Sequence, residues 1–258
     1  MSPERVAAAA DAWVWVHEAA TPVETEEYLL VRSPEWFEHP ASLVRFEPVR
    51  EPAVVLDEVL RTARELGADR VVVWVRASTP PALEELVTER GGVADEELDV
   101  LALDLRPGPP EIAPPDADLV LRWTTELDVV RDAEEVSVGV FGGSVPPDDE
   151  LARSAERDRV SVARGDGGIV VAYRDGRPVG FGGLSVVDGV ARLWGGGVLE
   201  QERGRGVYRA VLDERLRYGV EQGATMALVK GRVETSGPIL RRAGFATYGR
   251  ERSFVLSL

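Results

Sequence analysis

A run of prolines near the middle of the chain constrains its folding more than any other feature. Residues 106–115 read Arg-Pro-Gly-Pro-Pro-Glu-Ile-Ala-Pro-Pro, with five prolines in ten residues. Proline lacks the amide hydrogen that helix interiors and central strands require. The run therefore predicts a linker at 107–115 between a domain at 1–106 and a domain at 116–258. A chain of 258 residues is long enough for two domains.

The two sides of the linker share an order of features. A helix ending in Gly67-Ala68 leads into an apolar strand and Arg76, and a helix ending in Gly223-Ala224 leads into an apolar strand and Arg232. The glycines are 156 positions apart, and so are the arginines. In both halves Pro-x-Leu and a further glycine follow. This repetition favours a diverged tandem duplication.

Hydrophobic periodicity and turn residues predict alternating helices and strands in each half. In the first half we expect helices at 4–20, 53–66 and 81–90 and strands near 27–33, 43–47, 71–75 and 98–105. In the second half we expect helices at 126–137, 148–157, 206–221 and 237–243 and strands at 118–123, 169–173, 179–186, 190–199, 225–230, 245–249 and 252–257. Asp-Gly pairs at 175–176 and 188–189 predict hairpin turns.

The charge of the chain excludes one class of partner and is unevenly distributed. Its 30 basic and 45 acidic residues give a formal net charge of −15, which would repel a nucleic-acid backbone. Residues 1–115 hold 10 basic and 23 acidic side chains, whereas residues 116–258 hold 20 and 22. The acidic first half would attract a cationic molecule.

Several other classes of protein are excluded by what the sequence lacks. Without cysteine, the chain has no disulfide, thiolate metal site or cysteine nucleophile. Its two histidines, His17 and His39, are read as surface or cap residues, and we predict no metal site. No apolar run reaches the roughly 20 residues that a membrane span needs, and the first residues do not read as a signal peptide. We therefore expect a cytoplasmic protein that binds neither membrane nor nucleic acid.

The most informative stretch for function lies at 198–212. A buried strand ends at Val198-Leu199, the turn Arg203-Gly204-Arg205-Gly206 follows, and an amphipathic helix begins with Val207-Tyr208. Glycines allow backbone amides to approach a ligand closely, and the first N–H groups of a helix have no partner within it. With the helix dipole and the two arginines, this turn is suited to a pyrophosphate. Neither a Walker A motif nor a complete dinucleotide fingerprint is present.

This stretch resembles the cofactor loop of the GNAT superfamily of N-acetyltransferases, Q/R-x-x-G-x-G/A. Two registers fit: Gln201-x-x-Gly204-x-Gly206, and Arg203-x-x-Gly206-x-Tyr208. We prefer the second, because it places Val198 and Val211 where the family has apolar residues. The segment 236–245, ending in Gly-Phe, is similar to the family's fourth helix and its closing Gly-Phe. The resemblance covers about 118–258.

The resemblance implies an α/β (α+β) fold of two GNAT-like domains, each a mixed, mainly antiparallel twisted sheet flanked by helices. It also implies acetyl-CoA as cofactor, with the pantetheine arm beside a strand splayed at 195–197. The implied cofactor-binding residues are Val198, Leu199, Arg203, Gly204, Arg205, Gly206, Val207 and Tyr208. The loop position of the first half, 44–54, has no glycine. That half is therefore interpreted as a degenerate copy without cofactor.

Acetyl transfer needs polarisation of the thioester carbonyl, which the resemblance assigns to backbone N–H groups at 198–200, and it also needs groups that handle protons. The family's carboxylate early in the fourth strand falls near Ala191-Arg192 here, and its usual tyrosine is Leu240. Glu200 and Ser236 are the candidate catalytic residues, and Glu234 and Tyr208 are further substitutes. Two functions remain open: an acetyl-CoA-dependent N-acetyltransferase acting on a small, cationic amine by direct attack, or a non-catalytic acyl-CoA-binding or regulatory protein. The acceptor is expected between the domains or under 138–143, in a monomer or homodimer.

Overall fold

A computed structural model describes residues 1–112 and 118–258. The helices are α1 (Pro3–Asp11), α2 (Pro52–Glu65), α3 (Ala82–Glu89), α4 (Leu127–Phe141), α5 (Asp148–Arg164), α6 (Val207–Glu221) and α7 (Ser236–Arg242). The strands are β1 (Thr21–Glu24), β2 (Tyr28–Arg32), β3 (Ala41–Phe46), β4 (Arg70–Val75), β5 (Val93–Asp104), β6 (Leu119–Trp123), β7 (Gly167–Arg174), β8 (Arg177–Val187), β9 (Val190–Val198), β10 (Met226–Arg232) and β11 (Ala246–Ser257).

The described chain divides into two compact units. The C-terminal unit comprises Met1–Ser2, Leu101–Lys230 and Pro238–Thr247, and the N-terminal unit comprises Pro3–Val100, Gly231–Gly237 and Tyr248–Leu258. Residues 107–112 of the proline-rich segment contain neither helix nor strand. The rest of the predicted linker, 113–115, lies outside the described residues.

The C-terminal unit is built on a mainly antiparallel sheet. Strands β6 to β9 pair antiparallel in chain order, and β10 pairs parallel with β9. The two predicted Asp-Gly turns connect β7 to β8 and β8 to β9, and Asp175 and Asp188 both have a φ of 51°. Apolar side chains of α4, such as Val136, pack against one cluster of buried sheet residues. Apolar side chains of α6, such as Val211, pack against a second cluster of buried sheet residues.

The N-terminal unit repeats this plan with fewer elements. Strands β1, β2 and β3 pair antiparallel, β3 pairs parallel with β4, and β4 pairs antiparallel with residues 252–257 of β11. Its core contains fully buried side chains of α2, α3 and the sheet, including Leu56, Leu83 and Leu30. Each unit thus has the mixed, mainly antiparallel sheet and flanking helices that the sequence predicts.

The two halves share an order of elements. The series β3–α2–β4–α3–β5 of one half has the same succession of types as β9–α6–β10–α7–β11 of the other. The glycines that follow α2 and α6, Gly67 and Gly223, have φ angles of 73° and 79°. Those that follow α3 and α7, Gly91 and Gly244, have φ angles of 81° and 96°.

Two predicted elements are wrong. The first helix ends at Asp11 rather than near residue 20, because the β-branched and aromatic run Trp13-Val14-Trp15-Val16 has low helix propensity. The two terminal strands are one strand, β11. Arg250, in the gap between the two predicted strands, lies within β11, and its guanidinium donates to the buried carboxylate of Asp99 at 3.2 Å within the N-terminal unit.

Candidate active site and cofactor loop

Two parallel strands of the C-terminal unit separate part-way along their length. Strand β10 pairs with β9 only from Met226 opposite Val190 to Val229 opposite Leu193, yet β9 continues to Val198. Beyond Leu193, the edge of β9 on the side of β10 therefore has no parallel strand pairing with β10. Backbone N–H and C=O groups at such an edge can pair with an extended ligand. The opening begins directly before the predicted splay at 195–197.

A bulge in β9 accompanies the opening. Gly183 of β8 pairs with Trp194, and Phe181 pairs with Gly197, so β9 has one more residue than β8 between these pairs. Gly195 has a φ of 60°, a conformation that a side chain would strain. The triple glycine thus serves the bulge as well as the opening.

The glycine-rich turn leads from this opening into α6. Gly204 and Gly206 have φ angles of 74° and 79°, and Gly206 occupies the position just before the first helical residue, Val207. The first N–H groups of α6 have no partners within the helix, and the helix dipole favours an anion there. Val198 and Val211, the apolar positions of the second register, are both buried. The arrangement fits a pyrophosphate.

The arginines of the turn are partly committed to other groups. Arg203 donates from Nε to the carbonyl of Val198 at 3.3 Å. Arg205 contacts Glu202 at 3.0 Å, and Glu202 also binds the guanidinium of Arg174. Because Arg174 is 7% exposed, this ion-pair group fixes the turn against the end of β7.

Tyr208 stands where the loop pattern usually has glycine or alanine, and the structure shows how its side chain is accommodated. A Cβ atom added to Gly196 would lie 3.2 Å from the Tyr208 ring, so the ring lies against β9. Its hydroxyl interacts with the guanidinium of Arg215, which is buried and donates to the carbonyls of Gly183 and Trp194 at 3.1 and 3.3 Å. Burial raises the pKa of Tyr208, so its hydroxyl keeps its proton at neutral pH.

The comparison with protein families identifies this unit. Residues 130–245 match the model of the acetyltransferase (GNAT) family, and this range includes the opening, the turn and α6. The C-terminal unit therefore contains a GNAT acetyltransferase domain. No curated protein is detectably similar to the chain in sequence.

Solved structures of GNAT proteins have the same fold over nearly the whole chain. A GCN5-related N-acetyltransferase from Kribbella flavida is 17% identical, with a TM-score of 0.68 over 99% of this chain and 95% of that one. A GCN5-related N-acetyltransferase from Sphaerobacter thermophilus is 18% identical, with a TM-score of 0.63 over 90% and 81% of the chains. A tandem GNAT protein from the clavulanic acid biosynthesis pathway is 15% identical, with a TM-score of 0.62 over 96% and 86%.

Directly after the end of β9, a backbone amide that precedes the glycine-rich turn already donates a hydrogen bond within the protein. Leu199 donates its N–H to the carbonyl of Val179 at 3.0 Å, and Val198 pairs with Gly180 of β8. The sequence interpretation assigned the polarisation of a thioester carbonyl to the backbone at 198–200. The Leu199 amide is not available for this while it bonds Val179, which leaves Val198 and Glu200.

An aromatic group lies on the sheet face opposite to α6. A Cβ on Gly182 would contact Arg215 and Val211 of α6, whereas a Cβ on the next residue, Gly183, would meet the Trp194 ring. Because neighbouring residues of a strand face opposite sides, Trp194 lies on the α4 side. Its side chain is 37% exposed. Sequence reasoning missed this residue, because its exposure depends on the bulge.

A second aromatic pair belongs to the same face. Phe141 at the end of α4 contacts Phe181 of β8, with ring centroids 6.1 Å apart. A Cβ on Gly197 of β9 would lie 3.3 Å from Phe181, so this pair adjoins the bulged strand. Segment 138–143, expected from the sequence near the acceptor, thus reaches this face through Phe141.

The candidate proton-handling residues lie in different places. Glu200 is exposed on a one-turn 3-10 helix, Glu200–Glu202, directly after β9. Ser236 is the first residue of α7 and belongs to the N-terminal unit. At the position of the family's tyrosine, Leu240 is completely buried. Arg192, near the position of the family's carboxylate, is 9% exposed.

The loop of the N-terminal unit that corresponds to the GNAT turn contains an anion of its own chain. The carboxylate of Glu27 accepts hydrogen bonds from the backbone N–H groups of Val49 and Arg50, both at 2.8 Å. It also accepts one from Arg50 Nε at 2.6 Å. The Arg50 side chain and these backbone bonds lower the pKa of Glu27 to about 2. A side chain thus takes the amides that a phosphate would need, which sequence reasoning did not find.

In the part of the chain that the structure describes, no cluster of His, Cys, Asp or Glu side chains has the grouping of a metal site. None of the helices in this part of the chain has the length and apolar character needed to cross a membrane.

Proposed function

We propose that the chain is an acetyl-CoA-dependent N-acetyltransferase that acts on a small, cationic amine by direct attack. The observation that carries the proposal is the opening between β9 and β10 directly before the glycine-rich start of α6. Along the chain of the GNAT domain, the free edge of β9 is thus followed directly by the start of α6, a helix end suited to an anion. A pantetheine arm and a pyrophosphate occur in the same order in coenzyme A.

The residues present fit this cofactor. The amides at 204–207 would hold the pyrophosphate, with Arg203 and Arg205 adding positive charge. The edge of β9 beyond Leu193 would pair with the amides of the pantetheine arm. When bound, acetyl-CoA supplies an acyl group activated as a thioester. In the chain itself, Glu200 Oε is proposed to accept the proton of the attacking amine, and Ser236 remains a further candidate.

The acceptor class follows from charge and from the aromatic face. Acidic residues dominate the first half of the chain, which favours the approach of cations. An indole face binds a cation with about 0.5–2 kcal/mol. We therefore propose that Trp194 contacts the acceptor and that Phe141 and Phe181 shape the same side of the site.

The alternative function, a non-catalytic acyl-CoA-binding protein, is favoured by two positions. Leu240 and Arg192 stand where the family usually has a tyrosine and a carboxylate. Neither can perform the chemistry of the residue it replaces. Positioning of the reactants supplies much of the rate enhancement in such reactions, so the enzyme remains our proposal.

We also propose that 1–106 and 116–258 are diverged copies of one ancestral domain and that only the second binds the cofactor. The matching order of elements supports this. The occupation of the Val49 and Arg50 amides by Glu27 supports the loss of cofactor binding in the first copy.

The release of free thiol from acetyl-CoA across a panel of amines tests the enzyme proposal. We expect turnover with small primary amines that carry a further positive charge, and slower turnover with neutral analogues. Trp194→Ala should raise KM for the cationic acceptor about 5- to 30-fold, because a cation–π contact is lost. Trp194→Phe is the matched control and should retain most of the affinity.

The opposite results would separate the proposals. Binding of coenzyme A without thiol release for any amine would favour the non-catalytic alternative. If KM for the acceptor were unchanged in Trp194→Ala, the aromatic face would not be part of the acceptor site.

A further inference from the structure

A cavity of about 320 Å³ lies between the β7–β8 turn and the cofactor loop of the GNAT domain. Its lining residues are Arg174, Asp175, Arg177, Val179, Glu202 and Arg205. Arg205 belongs both to the loop and to this lining. A ligand held at 204–207 therefore has the cavity and the side chains of the β7–β8 turn beside it.

The cavity has an excess of positive charge. Three arginines face two carboxylates in its lining. Glu202 forms ion pairs with both Arg174 and Arg205, and the Nη1 atom of Arg205 lies 3.0 Å from the Glu202 carboxylate. Arg174 further donates to the carbonyl of Arg205 at 3.2 Å, so the backbone of the loop is held on this side.

Arg177 differs from the other two arginines. Its side chain is exposed, and among the described residues it has no acidic partner. The remaining carboxylate, Asp175, is exposed in the turn with a φ of 51°. A free guanidinium in the lining of a positively charged cavity is suited to a phosphate group, which it can bind with two parallel hydrogen bonds.

The ligand of the loop suggests which phosphate this is. Coenzyme A carries, besides its pyrophosphate, a phosphate group on the 3′ position of the ribose. We propose that Arg177, together with Arg205, binds this 3′-phosphate in the cavity. The inference rests on the proposed function, because it requires the pyrophosphate to lie at 204–207. It makes the β7–β8 turn the element by which the protein distinguishes coenzyme A from dephospho-coenzyme A.

Calorimetric titration of the full chain with the two ligands tests the proposal without any measurement of activity. The unaltered protein should bind coenzyme A about tenfold or more tightly than dephospho-coenzyme A. Arg177→Gln should weaken the binding of coenzyme A by about the same factor and leave dephospho-coenzyme A unchanged. The ratio of the two affinities should therefore fall towards one.

Arg164→Gln is the matched control. Arg164 is an exposed arginine in the last turn of α5, so its substitution removes the same charge from the same unit. It should leave the ratio of affinities unchanged. If Arg177→Gln weakened both ligands equally, or if the unaltered protein bound both equally well, the inference would be overturned while the proposed function stood. Binding of neither ligand would overturn both.

Discussion

Gly206→Val is expected to weaken the binding of coenzyme A by at least about 100-fold, which corresponds to about 2.7 kcal/mol. Gly206 directly precedes α6 with a φ of 79°, at the place where the amides should meet the pyrophosphate. A branched side chain there would crowd the phosphate and shift the turn from its left-handed conformation. Among the residues that the structure describes, a Cβ at this position comes within 4 Å of Arg209 alone, at 3.5 Å. The fold should therefore persist.

Gly223→Val controls for backbone strain. Gly223 follows the other end of α6, also has a φ of 79°, and has open space around a Cβ atom. The two variants should lose similar thermal stability, but Gly223→Val should keep its affinity for coenzyme A. Circular dichroism and calorimetric titration of both variants give the comparison. Retained affinity in Gly206→Val would place the anion site elsewhere.

Asp158→Asn is expected to stabilise the C-terminal unit by about 2–3 kcal/mol at neutral pH. Asp158 of α5 accepts a hydrogen bond from the Thr124 hydroxyl, and burial raises the pKa of its carboxyl to about 6. Burial also raises the pKa of Glu134 on α4, and the like charge of Asp158 raises it further. Asparagine keeps an acceptor for Thr124 and removes the cost of ionisation.

The raised pKa of Asp158 predicts how the stability of the C-terminal unit changes with pH. The pKa of Asp158 is raised in the folded state, so the folded protein binds the proton more tightly than the unfolded chain. The contribution of Asp158 to stability should be complete below pH 4 and lost as the pH rises to about 6. Urea denaturation between pH 4 and 8 should show this loss in the unaltered protein and a much smaller one in Asp158→Asn. Equal slopes would contradict the assignment.

The elements of the C-terminal half could be predicted well because its signals are local. Asp-Gly turns, alternating strands and the glycine-rich start of α6 each specify backbone geometry within a few residues. The predicted end of the first helix was wrong, because the helix predicted from a run of alanines was continued across Trp13 to Val16. The continuity of β11 was not predicted, because it involves pairing with a strand distant in sequence, from which Asp99 binds Arg250.

The candidate site could be predicted only as far as the backbone determines it. The glycine-rich turn before α6 is readable from the sequence, and the opening beside residues 195–197 is what the family resemblance implies. The exposure of Trp194 and the anchoring of Arg174 by Glu202 depend on pairing between strands far apart in sequence. The same holds for Glu27, which lies more than twenty residues before the amides of Val49 and Arg50 that it binds. A signal for its role would have required the register of β2 and β3.

We propose that the chain has one acetyl-CoA site, formed by the glycine-rich turn of the GNAT domain. Calorimetric titration of the full chain with coenzyme A tests it most directly. A stoichiometry near one per chain is predicted, since only the turn at 203–208 offers a glycine-rich helix start and Glu27 occupies the corresponding amides of the other unit. Two equivalent sites per chain, or no binding, would contradict the account.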